Sequence, residues 1–176
     1  ASERLVEVRA HEASFADGRV ERFDVLVAAP PHRAGARYDG LPADEHGFVH
    51  VESSTRQVVG HPEIYAPGDA GDFPLKDAFL ALLQADVAAD HIAAVVSRRH
   101  FKRPFEPVSV QIIEMLDKAA FAQLPLEVTG DPDHPVRLGS NGDAEYKVGV
   151  SPLWRAGKRM FSAYLLMQFA AAEPFR

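Results

Sequence analysis

The stretch Ile64-Tyr65-Ala66-Pro67-Gly68-Asp69-Ala70 decides how this chain is read. Three residues of strand character end in Pro-Gly-Asp, which turns the backbone and leaves a carboxylate at the turn. The segment Pro67 to Asp72 is turn-rich, and an unbroken helical pattern runs from about Lys76 to Arg99. A short buried strand, a tight turn and a helix in this order put the turn at the C-terminal edge of a sheet, where open α/β folds take their ligands. A carboxylate there accepts hydrogen bonds from ribitol or ribose hydroxyls. The next helix aims its N-terminal amides at an electron-rich group on the same ligand. The same pattern also describes a surface turn leading into a core helix, and by itself it does not separate the two.

Within the helical stretch Ala78, Leu82, Ala85, Ala89, Ile92 and Val96 recur at spacings of three and four, which predicts one core-facing side. Asp86, Asp90 and His91 fall on other faces, and Arg98-Arg99 complement the helix dipole at its C-terminal end. On the N-terminal side, Phe48-Val49-His50-Val51 alternates and predicts a short strand, while His32 to Asp44 reads as loop. Leu5 to Val8 alternates as well. Ser14 to Ala29 predicts two extended runs joined by the tight turn Ala16-Asp17-Gly18. Its end, Val25-Leu26-Val27-Ala28-Ala29, suits a strand buried on both faces, stopped by Pro30-Pro31.

After Pro104 the chain changes to short segments with turns. Glu114 to Ala120 has helical propensity, whereas Val110, Ile112 and Ile113 favour a strand, and the preferred reading is a hairpin turning near Asp117-Lys118. Thr129 to Gly142 predicts loop. Ser151-Pro152 then opens a last helix to about Ala172, with Ser at the cap and Pro at the first helical position. It places Trp154, Phe161, Leu165 and Gln168 near one side, Met160, Tyr164 and Met167 beside them, and Arg155, Lys158 and Arg159 in its first half.

Composition narrows the functions. At 176 residues, 47% hydrophobic and 25% charged, the chain has enough apolar material for about one domain with an appendage. The absence of cysteine excludes disulfide scaffolds, thiolate zinc sites, thiol nucleophiles and dithiol relays from this stretch. A net charge of −6 and a pI near 5.7 argue against nucleic-acid binding. The charge is uneven, −7 over residues 1–88 and +1 over 89–176, with +3 on the last 26 residues. The longest stretch without a charge, Met160 to Ala172, has 13 residues, fewer than the roughly 20 that span a bilayer. Ala1-Ser2-Glu3-Arg4 leads into a charged strand pattern and predicts no secretory signal. The sequence holds no G-x-G-x-x-G, phosphate-loop, H-E-x-x-H or G-x-S-x-G pattern. His46 and His50 flank a turn rather than sharing a helical face, so no metal site is expected.

Three segments, in order, resemble the C-terminal half of the FAD-dependent pyridine nucleotide-disulfide oxidoreductases, above all their sulfide:quinone oxidoreductase-like branch. The first is Phe15-Ala16-Asp17-Gly18 through Phe23-Asp24-Val25-Leu26-Val27-Ala28-Ala29-Pro30-Pro31-His32-Arg33, similar to the family's crossover out of the NAD-type domain. The second is Ile64 to Asp69, similar to the second FAD fingerprint. The third, Lys76-Asp77-Ala78 through Gln84-Ala85 to Ala89-Asp90-His91-Ile92, resembles the helix that follows it. The resemblance implies an α/β class: the C-terminal part of a flavoprotein with two dinucleotide-binding domains, followed by a smaller α+β interface domain. The corresponding divisions are the end of an NAD-type domain at 1–30, part of an FAD-binding domain at 31–100 and the interface domain at 101–176.

By the same resemblance Asp69 binds the ribitol chain of FAD and Gly68 lets the backbone approach it. Lys76, Asp77 and Ala78 lie beside the flavin pyrimidine ring, which Pro31, His32 and Arg33 border. The implied activity passes two electrons from NAD(P)H or a sulfur compound through the flavin to a quinone or other acceptor, with no catalytic residue assigned in this chain. The alternative is a non-catalytic interaction or dimerisation module that keeps part of the fold. Both dinucleotide fingerprints of the family lie upstream of the matched region. The chain therefore looks like the last half of an enzyme, with that upstream half or a partner chain as its complement, in a homo-oligomer. Sulfide chemistry in the branch relies on cysteines, which this sequence lacks. Asp77 replaces a residue that is small or neutral in the family: it either sets an anion beside the flavin or turns away as a helix N-terminal carboxylate. Residues 152–172 correspond to the part that covers the flavin, contacts quinone or rests on a membrane, which implies a cytoplasmic protein peripheral to the membrane; a core or dimer helix is the other reading.

Overall fold

The computed structural model describes residues 4–28, 31–131, 134–139 and 147–171. It divides into two compact units, Ala1–His32 and Arg33–Arg176. In the first, the alternating Leu5–Arg9 forms β1, Glu12–Phe15 β2 and Val20–Arg22 β3, an antiparallel meander in the order β1-β2-β3. Ala16-Asp17-Gly18 turns β2 into β3 as the sequence predicts, with Gly18 at φ +88°. The expected strand at Val25–Ala29 does not form over its described residues 25–28, and Val25 and Val27 are 81% and 93% exposed. A strand apolar on both faces is buried only by neighbours on both sides, and among the described residues of this unit no strand pairs with it.

The second unit begins with loop. Val49 bridges Ala43 and Gly71, and Val51 bridges Val58, so Phe48–Val51 contributes single bridges where a short strand was expected. Gln57–Val58 (β4) and His61–Tyr65 (β5) form an antiparallel hairpin, turned at Gly60 with φ +79°. Val49, Val51, Val58 and Ala66 close a small core beneath it, with Leu41, Ile64 and Ala70 packed against them. The strand before Gly68 is therefore antiparallel and half-buried rather than part of a buried parallel sheet.

A 3-10 turn at Gly68–Ala70 leads to the helix α1, Ala78–Val96, shorter at both ends than the predicted 76–99. The predicted core stripe is also on the wrong side. Leu80, Gln84 and Ala88 are the buried residues, whereas Ala78, Ala85, Ala89, Ile92 and Val96 are exposed. Alanine and valine cover α1 on every side, so spacing alone offers two apolar faces. Leu80, packed with Phe73 and Phe105, sets which one turns inward. An 18-residue window of α1 has a mean hydropathy of 1.6 and is 17% buried, so by length and composition it could cross a bilayer, which the charge-free runs did not suggest.

The predicted hairpin forms as β6 (Val108–Glu114) and β7 (Ala119–Val128), paired antiparallel from Val108↔Pro125 to Glu114↔Ala119, with Met115 N–H donating to Lys118 O at 2.8 Å across the turn. Val136–Leu138 (β8) pairs with one end of β7, so the expected loop from Thr129 contains a short strand; residues 132–133 and 140–142 of that loop lie outside the described residues. Lys147–Ser151 (β9) pairs with the other end of β7. Ser151 Oγ then accepts from Leu153 N–H at 3.1 Å and starts α2, Pro152–Ala171, where the Ser-Pro pair predicted it. Among the described residues the fold is mixed α and β, with antiparallel sheets and two α-helices.

Candidate functional site

The Gly68–Asp69 turn is fastened to α1 from beneath. Gly68 has φ +69°, and a Cβ there would lie 3.2 Å from Ala81 Cβ, so both conformation and crowding require glycine. Its N–H donates to Gln84 Oε1 at 2.9 Å, and Gln84 is 2% exposed. Asp69 is exposed, and its carboxylate makes no hydrogen bond or ion pair among the described residues.

Seven residues on, the chain turns into α1 through Lys76, Asp77 and Ala78. The half-buried Lys76 donates from Nζ to Gly71 O at 2.5 Å and lies 3.7 Å from the centre of the Phe48 ring. Burial pulls its pKa below the usual lysine value, against the opposing pull of Asp69, Asp72 and Asp44. Asp77 is the N-cap of α1. Its Oδ1 accepts from Phe79 N–H at 2.7 Å and Leu80 N–H at 3.4 Å, and its Oδ2 from Ser109 Oγ at 2.8 Å and Gln111 Nε2 at 3.1 Å. Of the two readings of Asp77, the helix N-terminal carboxylate is the one realised. One side chain thus satisfies two free amides of the helix and ties α1 to β6.

Beside this cap opens a cleft of about 590 Å³ between the start of α1, the β6–β7 hairpin and α2. Lys76, Asp77 and Gln111 form its polar end, and Ala78, Leu82, Val110, Ile112, Phe121, Trp154, Phe161 and Leu165 its apolar walls. Phe121 and Trp154 stack with centroids 4.3 Å apart and planes 17° apart. Lys158, 3.5 Å from Glu114, is at the edge, and Arg155 donates to Leu116 O at 2.8 Å, holding α2 to the hairpin turn. Such a cleft accepts a flat, largely apolar ring with a polar end. Of the predicted site residues, Lys76, Asp77 and Ala78 meet at the cleft, and Gly68 and Asp69 lie together at the turn. Pro31 is exposed and falls in the first unit. Trp154, Phe161 and Leu165 line the cleft together as their helical spacing predicts, while Met160 and Met167 face outward at 74% and 70% exposure. Ser109, Gln111 and Phe121 are not among the residues the sequence singles out; the one signal for the first two is their spacing of two on the expected hairpin, which places them on one face of β6.

Elsewhere, Arg56 is 2% exposed, with its guanidinium carbon 5.0 Å and 6.0 Å from the centres of the Phe105 and Phe73 rings. Nη2 donates to Glu52 O at 3.0 Å, whereas Nε and Nη1 have no partner. Burial lowers its pKa, opposed by the charge of Asp72. Tyr65 Oη and His91 Nδ1 lie 2.8 Å apart, joining β5 to α1. Among the described residues no three His, Asp or Glu side chains converge as a metal-ligand set.

No protein-family model matches the chain, nor does any curated protein. Among solved structures, a chain in the cryo-EM structure of the Tetrahymena thermophila mitochondrial ATP synthase, an F1Fo composite tetramer, is similar. The identity is 18% and the TM-score 0.52, over 70% of this chain and 32% of that one. The present chain thus spans about a third of that chain's length, and at this identity the likeness speaks for the fold alone.

Proposed function

We propose that this chain is the C-terminal portion of an FAD-dependent oxidoreductase of the pyridine nucleotide-disulfide type, and that two electrons pass through its flavin to a quinone or other flat acceptor. The observation that carries the reading is the aromatic cleft beside Lys76-Asp77-Ala78, next to the residues whose order and spacing resemble the second FAD fingerprint. The fit to the cofactor rests on two groups. Asp69 keeps an exposed carboxylate for polyol hydroxyls, and the cleft accepts a flat ring. When bound, FAD supplies the redox chemistry; the residues here bind and orient it and keep water from one side of the ring. NAD(P)H or a sulfur compound as donor, the divisions at residues 30 and 100, Pro31 as a neighbour of the ring, a homo-oligomer and a complementary upstream half belong to the same reading. A non-catalytic module built on the same fold is the alternative.

Trp154 is the single tryptophan of the chain and lines the cleft, which makes it a built-in reporter. Lumiflavin, the flavin ring without its nucleotide, is expected to quench Trp154 fluorescence saturably, and Leu82→Phe, which fills the wall of the cleft without adding a second indole, is expected to weaken that quenching. Linear, unsaturable quenching in both proteins would leave the non-catalytic module as the reading.

A further inference from the structure

The C-terminal end of α1 concentrates positive charge that neither the fold nor the proposed flavin chemistry uses. Residues 91–105 contain Arg98, Arg99, Lys102 and Arg103 and no carboxylate, in a chain of net charge −6. All four cations are exposed, and none makes an ion pair among the described residues. The helix dipole accounts for Arg98 and Arg99 at the end of α1, but Lys102 and Arg103 lie beyond its reach. Phe101 anchors the segment, edge-on to His91 with centroids 4.9 Å apart. A hollow of about 530 Å³ is lined by Arg99, His100, Phe101, Lys102 and Arg103, with Asp90 the one carboxylate on its wall. Lys102 and Arg103 also line the neighbouring hollow, together with Asp86, Asp90 and Glu106, whereas Arg98 and Arg99 do not border it. On the last turn of α1, next to Arg98, Val95 and Val96 are 57% and 78% exposed.

We propose that this tip docks on an anionic lipid surface, with the four cations at lipid phosphates and Val95 and Val96 entering the interface. Charge alone would suit any polyanion. The exposed valines beside it are what favour a lipid surface, since a soluble phosphate gains nothing from them and an acyl region does. The acidic remainder of the chain is repelled by such a surface, which confines the contact to this end.

The test is co-sedimentation of the 176-residue chain with phosphatidylcholine vesicles, with and without phosphatidylglycerol. Binding is expected only to the anionic vesicles and should weaken with salt. Replacing Arg98, Arg99, Lys102 and Arg103 together by Gln is expected to lower the partition coefficient by about a hundredfold or more. Val95→Ser with Val96→Ser is expected to lower it about tenfold, and Met160→Ser with Met167→Ser on α2 to leave it unchanged. Circular dichroism of each variant verifies the fold. Equal binding to neutral vesicles, no loss in the four-fold variant, loss in the α2 variant alone, or complete competition by inorganic tripolyphosphate with no effect of the valines would each overturn the proposal.

Discussion

Asp77 is the side chain on which the start of α1 and its attachment to the hairpin both depend, and Asp77→Ala measures that dependence. The substitution removes the acceptor of Phe79 N–H and Leu80 N–H, a capping loss of about 1 kcal/mol. It also strands the hydroxyl of Ser109, which is 1% exposed, and a buried donor without a partner costs about 1–3 kcal/mol. Gln111 is exposed at its contact and finds water, so it adds little. The expected total is about 2–4 kcal/mol, which in a chain of this size lowers the midpoint of thermal unfolding by roughly 4–16 °C, read by circular dichroism. Asp77→Asn keeps an acceptor for the amides and is expected to lose about half as much. Ser109→Ala made in the Asp77→Ala background removes the stranded hydroxyl and is expected to recover part of the loss, a coupling that a double-mutant cycle isolates. If Asp77→Ala unfolds within about 0.5 kcal/mol of the parent, the carboxylate does not hold α1 to β6, and its place at the cleft must be explained by something it binds.

Three further outcomes follow from the same geometry. Lys76 has a pKa lowered by burial, so the folded chain binds fewer protons than the unfolded one between that lowered value and 10.5; stability is expected to rise with pH across this window, and Lys76→Met to flatten the rise in urea titrations at successive pH values. Arg56→Met exchanges a buried guanidinium with two unpartnered nitrogens for an apolar chain of similar reach and is expected to change stability by about 1 kcal/mol or less, against a loss of about 2–4 kcal/mol for Arg56→Ala, in denaturant unfolding. Equal losses in the two variants would mean that the charge itself holds the Phe73–Phe105 pair. Gly71→Ala sets a Cβ 2.5 Å from Ala66 O, a backbone atom that cannot swing aside, whereas Gly68→Ala meets Ala81 Cβ at 3.2 Å and must hold a φ of +69°; the first is expected to abolish the cooperative unfolding transition and the second to lower its midpoint.

Local chemistry was the legible part of the fold. Asp-Gly at 17–18, the turn near Asp117-Lys118 and Ser151-Pro152 at the start of α2 each act over two or three neighbouring residues, and each forms where the sequence places it. Decisions made by distant partners were not legible. Val25–Ala29 has the composition of a doubly covered strand, yet strand formation waits on neighbours that the run does not encode. In α1 the apolar residues surround the axis, and the choice between two faces falls to Phe73 and Phe105, 7 and 25 residues from Leu80 along the chain. β8 pairs with β7 inside a stretch, Thr129 to Gly142, whose Gly and Pro read as loop, and β9 is set by its pairing with β7 rather than by a signature of its own.

The candidate site divides in the same way, and the division bears on its chemistry. Residues close in sequence, Gly68 with Asp69 and Lys76 through Ala78, were found because a turn and a helix start carry their own signatures. What could not be seen was that Ser109 and Gln111, 32 and 34 residues away, would direct the Asp77 carboxylate onto the amides of α1. That pairing changes what the helix end can do. An uncapped N-terminus holds an anion; here its first amides are taken by a carboxylate fixed from both sides, with the half-buried ammonium of Lys76 beside it. The cleft therefore offers a ligand aromatic faces, the Gln111 amide and the ammonium groups of Lys76 and Lys158, with the amides of Phe79 and Leu80 already taken. A neutral flat ring with carbonyl oxygens matches that set, and a ligand that depends on the helix dipole to hold a full negative charge does not.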